Sequence, residues 1–321
     1  MIPRIRIAHL PTPVELLPRL STSLQGPRLL VKRDDQTGLA LGGNKVRKLE
    51  FLLAEALANG ARTLVTVGAA QSNHCRQTAA LAARAGLDCV LVLSGSPPDR
   101  STGNLLLDEY FGAELVWSGA LKRDAVLQQV FQDAWSARRR PYLIPLGGST
   151  PVGAAGYVLA MQEYVAQAAE RADLRADWIV LASSSGGTQA GLLAGARQAG
   201  WSGRILGISI DRPAPELQEI VAGLAQAAAD WLGSPESFSP GEVLVNDHFL
   251  GAGYGIVGPP EQEAIRLFAR QEGLLLDPVY TGRAAAGMIS LIRTGFFNAS
   301  ESVLFWHTGG TPAVFADQYH P

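Results

Sequence analysis

A lysine that opens a helix directly behind two glycines has the makings of a reactive amine, and Gly42-Gly43-Asn44-Lys45 is such a segment. The glycines let backbone approach a ligand closely, and the positive end of a helix lowers the pKa of an amine placed there. A depressed pKa is what a Schiff-base lysine needs. Taken alone, the segment reads more readily as a surface lysine capping a turn.

Two further segments change that balance. Ser183-Ser184-Ser185-Gly186-Gly187-Thr188-Gln189-Ala190-Gly191 follows an apolar run and opens a helix. Successive free N–H groups at such a turn, with serine and threonine hydroxyls, form an anion pocket that suits a small phosphate. The alternative is an ordinary Ser/Gly turn with a helix cap. Gln71-Ser72-Asn73-His74 repeats the arrangement, and its polar groups suit a carboxylate or a ring oxygen; a simple N-cap by Ser72 is equally consistent. Lysine, phosphate cradle and second polar turn together imply a phosphate-bearing aldehyde, pyridoxal 5′-phosphate.

These turns must be held by something regular. Thr63–Val67, Cys89–Leu93, Trp178–Ala182, Ile205–Ile210 and Ser302–Trp306 are short, continuously apolar runs, which predicts buried strands. Between them the pattern changes to helix. Lys45 to Ala58 places Val46, Leu49, Leu53 and Leu57 on one face and closes at Asn59-Gly60; Asn73 to Ala85 stops at Gly86; Thr150-Pro151 opens a helix running towards Ala169. Strands alternating with helices predict an α/β chain with parallel sheet covered on both faces.

Composition excludes several classes. The 321 residues are 47% hydrophobic and 17% charged, with net charge −2, so a large core is expected and no positive field attracts nucleic acid. The opening Met1 to Ile7 lacks the apolar run of a signal peptide, and no stretch is long and apolar enough for a membrane span. Cys75 and Cys89 make no disulfide framework, which points to the cytoplasm. Gly38 to Val46 lacks the Ser/Thr of a nucleotide P-loop, no G-x-S-x-G or H-E-x-x-H occurs, and His9, His74, His248, His307 and His320 are too dispersed to announce a metal site.

Seven blocks in order, KRDD at 32–35, GGNKVRKLEF at 42–51, QSNHCRQTAA at 71–80, SSSGGTQAGL at 183–192, GYGI at 253–256, DPVYTGRA at 277–284 and HTGGTPAVF at 307–315, carry a resemblance. The chain resembles the 1-aminocyclopropane-1-carboxylate deaminase / D-cysteine desulfhydrase family of fold-type-II pyridoxal-phosphate enzymes, similar in architecture to the tryptophan synthase β chain. The resemblance runs from about His9 to Phe315. It implies two doubly wound open-sheet domains, the larger from 1–46 plus 158–321 and the smaller from 47–157, with the cofactor between them, and a homodimer.

The same resemblance implies roles. Lys45 becomes the Schiff-base lysine and the base for the Cα proton, Asn73 the partner of the cofactor's phenolic oxygen, and Ser184, Ser185, Gly186, Gly187 and Thr188 the phosphate cradle. Ser72 touches the carboxylate of an amino-acid substrate beside Gln71 and Asn73, and Tyr254 and Tyr280 match the two active-site tyrosines. Thr281 and Thr308 stand where the deaminases have glutamate and leucine, which places the chain on the desulfhydrase side of the family: a hydroxyl near the pyridine nitrogen supports the electron sink less than a carboxylate does, and thiolate elimination needs less support than opening a cyclopropane. Cys75 and Arg283 stand where the family often has threonine and lysine. The implied reaction is β-elimination from D-cysteine to sulfide, pyruvate and ammonia. L-cysteate sulfo-lyase, β-chloroalanine elimination and cyclopropane deamination are the alternatives within the family, and a non-catalytic binding protein or a nucleotide-dependent enzyme those outside it. His74 and His307 are read as structural, with His74 placed to orient Ser72; Asp34, Asp35 and Trp306 are read as supporting residues.

Overall fold

Apolar runs that end in glycine or serine become central parallel strands, because a strand covered on both faces needs hydrophobic side chains on both. The computed structural model describes residues 3–319; Met1 and Ile2 of the opening segment, and His320, lie outside the described residues. In chain order the elements are β1 (Val14–Leu16), α1 (Pro18–Leu24), β2 (Arg28–Arg33), α2 (Lys45–Ala58), β3 (Thr63–Gly68), α3 (Asn73–Ala85), β4 (Asp88–Leu93), α4 (Gly103–Tyr110), β5 (Glu114–Trp117), α5 (Arg123–Ser136) and β6 (Pro141–Leu143). There follow α6 (Pro151–Glu170), β7 (Trp178–Ser183), α7 (Gly187–Gln198), β8 (Arg204–Ser209), α8 (Ala214–Trp231), β9 (Leu244–Asn246), α9 (Pro259–Glu272), α10 (Thr281–Arg293) and β10 (Ser302–His307).

The strands sort into a six-stranded sheet, β1-β2-β10-β7-β8-β9, and a four-stranded sheet, β5-β4-β3-β6. All pairings are parallel except β1 with β2, which is antiparallel at one edge of the larger sheet. That edge departs from the all-parallel expectation. A second departure is that β10 leads into a 3-10 turn at Thr311–Phe315 rather than a helix.

Each sheet has its own core. Phe268 of α9 and Met288 and Ile289 of α10 pack with Leu29, Val180 and Phe305 on one face of the larger sheet, and Tyr157, Met161 and Tyr164 of α6 with Leu192 of α7 cover the other. In the smaller sheet, α2 and α3 bring Leu49, Leu53, Ala79 and Leu81 against Leu64 and Leu91, and α5 brings Leu127 against Val65 and Val92. Both α2 and α6 run through the sequence positions at which the two halves were expected to divide.

A buried ionic cluster joins these layers. The carboxylate of Asp34, fully buried, accepts from Arg47 Nε and Nη2 at 2.9 and 2.8 Å, from Tyr157 Oη at 2.6 Å and from Trp306 Nε1 at 2.8 Å. Arg47 also reaches Glu163, which in turn takes Lys32 Nζ at 2.6 Å. Among the described residues no helix is long and apolar enough to cross a membrane, and no group of three or more His, Cys, Asp or Glu could hold a metal ion.

Candidate active site

In an open parallel sheet, ligands sit beyond the carboxyl ends of the strands, where chain turns into helix and N–H groups point outward. Here three such ends converge. Gly68 closes β3, Ser183 closes β7 and His307 closes β10, and the segments that follow them line one cavity of about 220 Å³. Lys45, Ser72, Asn73, Ser184, Ser185, Gly186, Thr188, Tyr254, Tyr280 and Thr308 are all in its wall.

Lys45 arrives on the first residue of α2 through a tightly packed loop. Gly43 has φ +124°, and a Cβ there would stand 2.3 Å from Gln77 Nε2, so residue 43 must be glycine for the loop to lie against α3. Asn44 N–H donates to Thr308 O at 2.9 Å and Asn44 Nδ2 to Thr188 Oγ1 at 3.0 Å, tying the lysine's loop to the other two turns. Burial of the amine draws its pKa down to about 8, with the Asp277 carboxylate pulling the other way. With its pKa at about 8, on the order of a tenth of Lys45 is uncharged at pH 7, far more than for an ordinary lysine, and the uncharged amine is the nucleophile.

The phosphate cradle is the start of α7. Gly186, at φ 78°, is its N-cap and supplies no side-chain cap. Ser149 Oγ lies 2.8 Å from Ser185 Oγ and accepts from Gly187 N–H at 3.3 Å, while Lys48 Nζ donates to Ser149 Oγ at 3.3 Å and Gly147 O at 3.2 Å. Lys48 is buried one turn behind Lys45, and desolvation followed by the charge of Lys45 holds its pKa well below the usual lysine range. N–H groups, hydroxyls and a nearby buried amine are a donor set that fits a phosphate, and a depressed lysine beside them fits an aldehyde. The residues present therefore suit pyridoxal phosphate: Lys45 would hold its aldehyde carbon and the 184–188 turn its phosphate.

At the substrate side, Ser72 is the N-cap of α3, its Oγ accepting from Cys75 N–H at 3.1 Å, which leaves the hydroxyl proton unspent on that bond. Tyr254 and Tyr280 meet hydroxyl to hydroxyl at 2.7 Å. Burial of the hydroxyl pushes Tyr254 up to about 12, and burial with the neighbouring Tyr254 drives Tyr280 well above the ordinary phenol range, so both keep their protons at neutral pH.

Three expected residues stand back from the cavity. Gln71 spends its amide on Thr102 O at 2.8 Å and on Asn104 N–H at 2.8 Å. Thr281, fully buried, donates to Asp277 Oδ1 at 2.7 Å and accepts from Asp277 N–H at 2.7 Å, so its hydroxyl is committed to shaping the turn before α10. Gly187 lies behind the cradle against Ser149. His74 bonds Thr66 Oγ1 through Nε2 at 2.9 Å, not Ser72, and burial lowers its pKa well below the usual imidazole range, so it serves as a neutral structural group. His307, also buried, receives Gly309 N–H at Nδ1 at 3.3 Å.

Residues that short motifs do not reveal also line the cavity: Arg123 at the start of α5, and Asp211 with Arg212 just beyond β8. The rule that ligands gather past strand ends would have flagged the last two. Lys48 was legible as the residue three positions from Lys45, on the same helix face.

Arg283, fully buried on α10, holds the Tyr254 loop. It donates to Glu261 Oε1 at 2.9 Å, Ile210 O at 2.9 Å, Gly253 O at 3.1 Å and Ile256 O at 2.7 Å. A lysine cannot fork to all four. Arg283→Lys is thus expected to cost about 1–2 kcal/mol and to loosen 251–256 first; amide exchange that speeds up elsewhere but not in this loop would contradict the assignment.

Comparison with known proteins agrees with this geometry. Residues 5–309 match the family model described as pyridoxal-phosphate dependent enzyme. The chain is 44% identical over 325 residues, 99% of its own length and 97% of the relative, to proteins named D-cysteine desulfhydrase from Salmonella choleraesuis (strain SC-B67) and from Salmonella typhi. Among solved structures it superposes on an ACC deaminase homologue with a TM-score of 0.88 at 36% identity, covering 98% of this chain and 94% of the other. A fungal L-serine ammonia-lyase from Rhizomucor miehei, at 17% identity and a TM-score of 0.70 over 98% of this chain and 97% of the other, shares the fold alone. With its lysine, its cradle and near-complete alignment to these proteins, the chain belongs to the pyridoxal-phosphate dependent enzyme family and has the fold-type-II architecture.

Proposed function

We propose that the chain is a D-cysteine desulfhydrase, converting D-cysteine and water into sulfide, pyruvate and ammonia. The observation that carries the reading is Lys45: an amine drawn down to about 8, in one cavity with Ser72, Asn73 and two hydroxyls that stay protonated. Full-length similarity to proteins of that name supports it. Bound pyridoxal phosphate supplies the electron sink for the charge left when a Cα proton departs. Lys45 Nζ takes that proton, a task for which a pKa near the working pH is suited. Ser72, at the start of α3, holds the substrate carboxylate, where the positive helix end favours an anion, and the Asn73 amide beside it would meet the cofactor's ring oxygen. The Tyr254 and Tyr280 hydroxyls, being protonated, act as donors to the departing sulfur rather than as bases. Thr308, in the cavity wall, stands on the ring side, with Thr281 acting behind it through Asp277.

The parts of the chain at 1–46 with 158–321 and at 47–157 act as the two domains flanking the cofactor; the sorting of the strands into two sheets supports this. A homodimer in the cytoplasm completes the reading, supported by the family resemblance and by the buried, unpaired Cys75 and Cys89. A second reading, sulfite elimination from L-cysteate, is favoured by one observation: Arg123 lines the cavity, and its buried Nε has no hydrogen-bond partner.

Purified protein supplied with pyridoxal phosphate and offered D-cysteine, L-cysteine, L-cysteate and 1-aminocyclopropane-1-carboxylate separates these readings. Pyruvate with sulfide from D-cysteine alone is expected. Pyruvate with sulfite from L-cysteate would support the second reading, and spectral change with all four but pyruvate from none would mean that the cofactor site is right and the reaction is not.

A further inference from the structure

Behind Asn73 lies a row of buried side chains. Arg76, on the same helix, donates from Nη1 to Asn104 Oδ1 at 2.9 Å and from Nη2 to Gly42 O at 2.7 Å. Asn104, on α4, is fully buried and donates from Nδ2 to Asn73 Oδ1 at 2.8 Å and to Gln71 O at 2.9 Å. The polarity of this row has one solution. A guanidinium carries donors only, so Asn104 must turn its oxygen to Arg76 and its NH2 to Asn73. Asn73 must then accept through its oxygen, and its own NH2 is left for the cavity. Gly310 bounds that NH2 on another side: a Cβ there would stand 2.7 Å from Asn73 Nδ2.

We propose that Asn104 is a positioning residue: locked by Arg76, it holds the Asn73 amide so that an N–H, and not an oxygen, faces the ligand. A free carboxamide can offer either end, because its oxygen and nitrogen are nearly the same shape. A locked one stabilises negative charge on the oxygen it meets. The inference rests on the proposed reading of the cavity, in which that oxygen is the cofactor's ring hydroxyl. Arg76 also holds Gly42 O, three residues before Lys45, so one guanidinium orients the Asn73 donor and anchors the loop of the reactive lysine.

Asn104→Asp tests this in the cofactor-loaded protein. Aspartate is nearly isosteric and still accepts from Arg76, but has no N–H for Asn73. The pH midpoint of the bound cofactor's visible absorption is expected to rise by about one unit, and kcat to fall roughly tenfold with KM little changed. Since the introduced carboxylate also brings a charge, the same substitution is made in Asn73→Ala, where no further shift is expected; a shift that persists there would overturn the relay. Asn104→Ala, uncharged, is expected to move the midpoint in the same direction in a protein that still melts cooperatively, at a lower temperature because Arg76 and the Gln71 carbonyl lose a buried partner, and covers the case in which the aspartate's charge disturbs folding. A normal band unmoved by both Asn104 variants overturns the inference alone. Wild-type protein that shows no band with pyridoxal phosphate overturns the reading of the cavity and the relay with it.

Discussion

Replacing Lys45 with alanine is expected to leave a folded protein that binds pyridoxal phosphate without the visible band of the lysine-bound cofactor and turns over amino acids at least about a thousandfold more slowly. The fold survives because Lys45 contributes little to it. Its amine is desolvated at a cost, as its lowered pKa records, and no hydrogen bond to Nζ is found among the described residues. Loops 42–44 stay in place through Gly43 N–H on Asp34 O and Asn44 N–H on Thr308 O, which do not involve the side chain. Loss of the amine removes two functions at once, holding the cofactor and moving the Cα proton, so the effect is large and does not divide between them. Lys48 cannot substitute, because its Nζ is held by Gly147 O and Ser149 Oγ. Elimination retained in Lys45→Ala would remove Lys45 from the mechanism.

The largest stability effect is expected at Asp34. Asp34→Ala strips a buried carboxylate from Arg47, Tyr157 and Trp306, leaving a guanidinium with Glu163 as its remaining charged partner and two donors with none. Breaking a buried pair by removing one partner costs about 3–5 kcal/mol. The pairs join the turn that follows β2 to α2, α6 and β10, so the loss should appear in global denaturant unfolding. The pH dependence follows from the same contacts. Burial alone would raise the Asp34 carboxyl, but Arg47, by charge and hydrogen bond, holds it down to about 2. A carboxyl whose folded pKa lies below its unfolded value of about 3.9 stabilises the fold fully above that value, and the contribution fades as pH falls toward 2. Asp34→Asn should flatten that part of the acid-unfolding curve. An unchanged acid limb, or a loss below about 1 kcal/mol in Asp34→Ala, would mean that the cluster is not what holds these layers together.

Much of this arrangement was legible in the residues. The five apolar runs expected as strands are β3, β4, β7, β8 and β10, and the helices opening at Lys45, Asn73 and Pro151 begin there. Periodicity succeeds in these places because the segments are covered on both sides or on one continuous face. It misses β2, whose run RLLVKR ends in charges: Lys32 is fully buried, and the Thr12 carbonyl together with Glu163 and Gln167, from a helix more than a hundred residues later, makes that tolerable. The short β1, β5, β6 and β9 carry too few residues for any period to register. In the cavity, motifs found the turns at 71–74 and 183–188 because each follows a strand, and the lysine's loop because glycines precede a helix start. Arg123, Arg212 and Asn104 escaped, since what gives them a role is the arrival of other segments beside them, and no local spacing encodes that. Thr281 is the converse case: the motif names the position, and the structure adds that its hydroxyl is engaged at Asp277.

The central claim is that Lys45 is the reactive amine of this cavity, and Lys48, three residues on, fully buried and likewise depressed, is the sharpest competitor. Borohydride reduction of the cofactor-loaded protein, followed by proteolysis and mass spectrometry, reads the answer directly. The reduced cofactor mass is expected on Lys45 alone; the same mass on Lys48, or on neither lysine, would contradict the account.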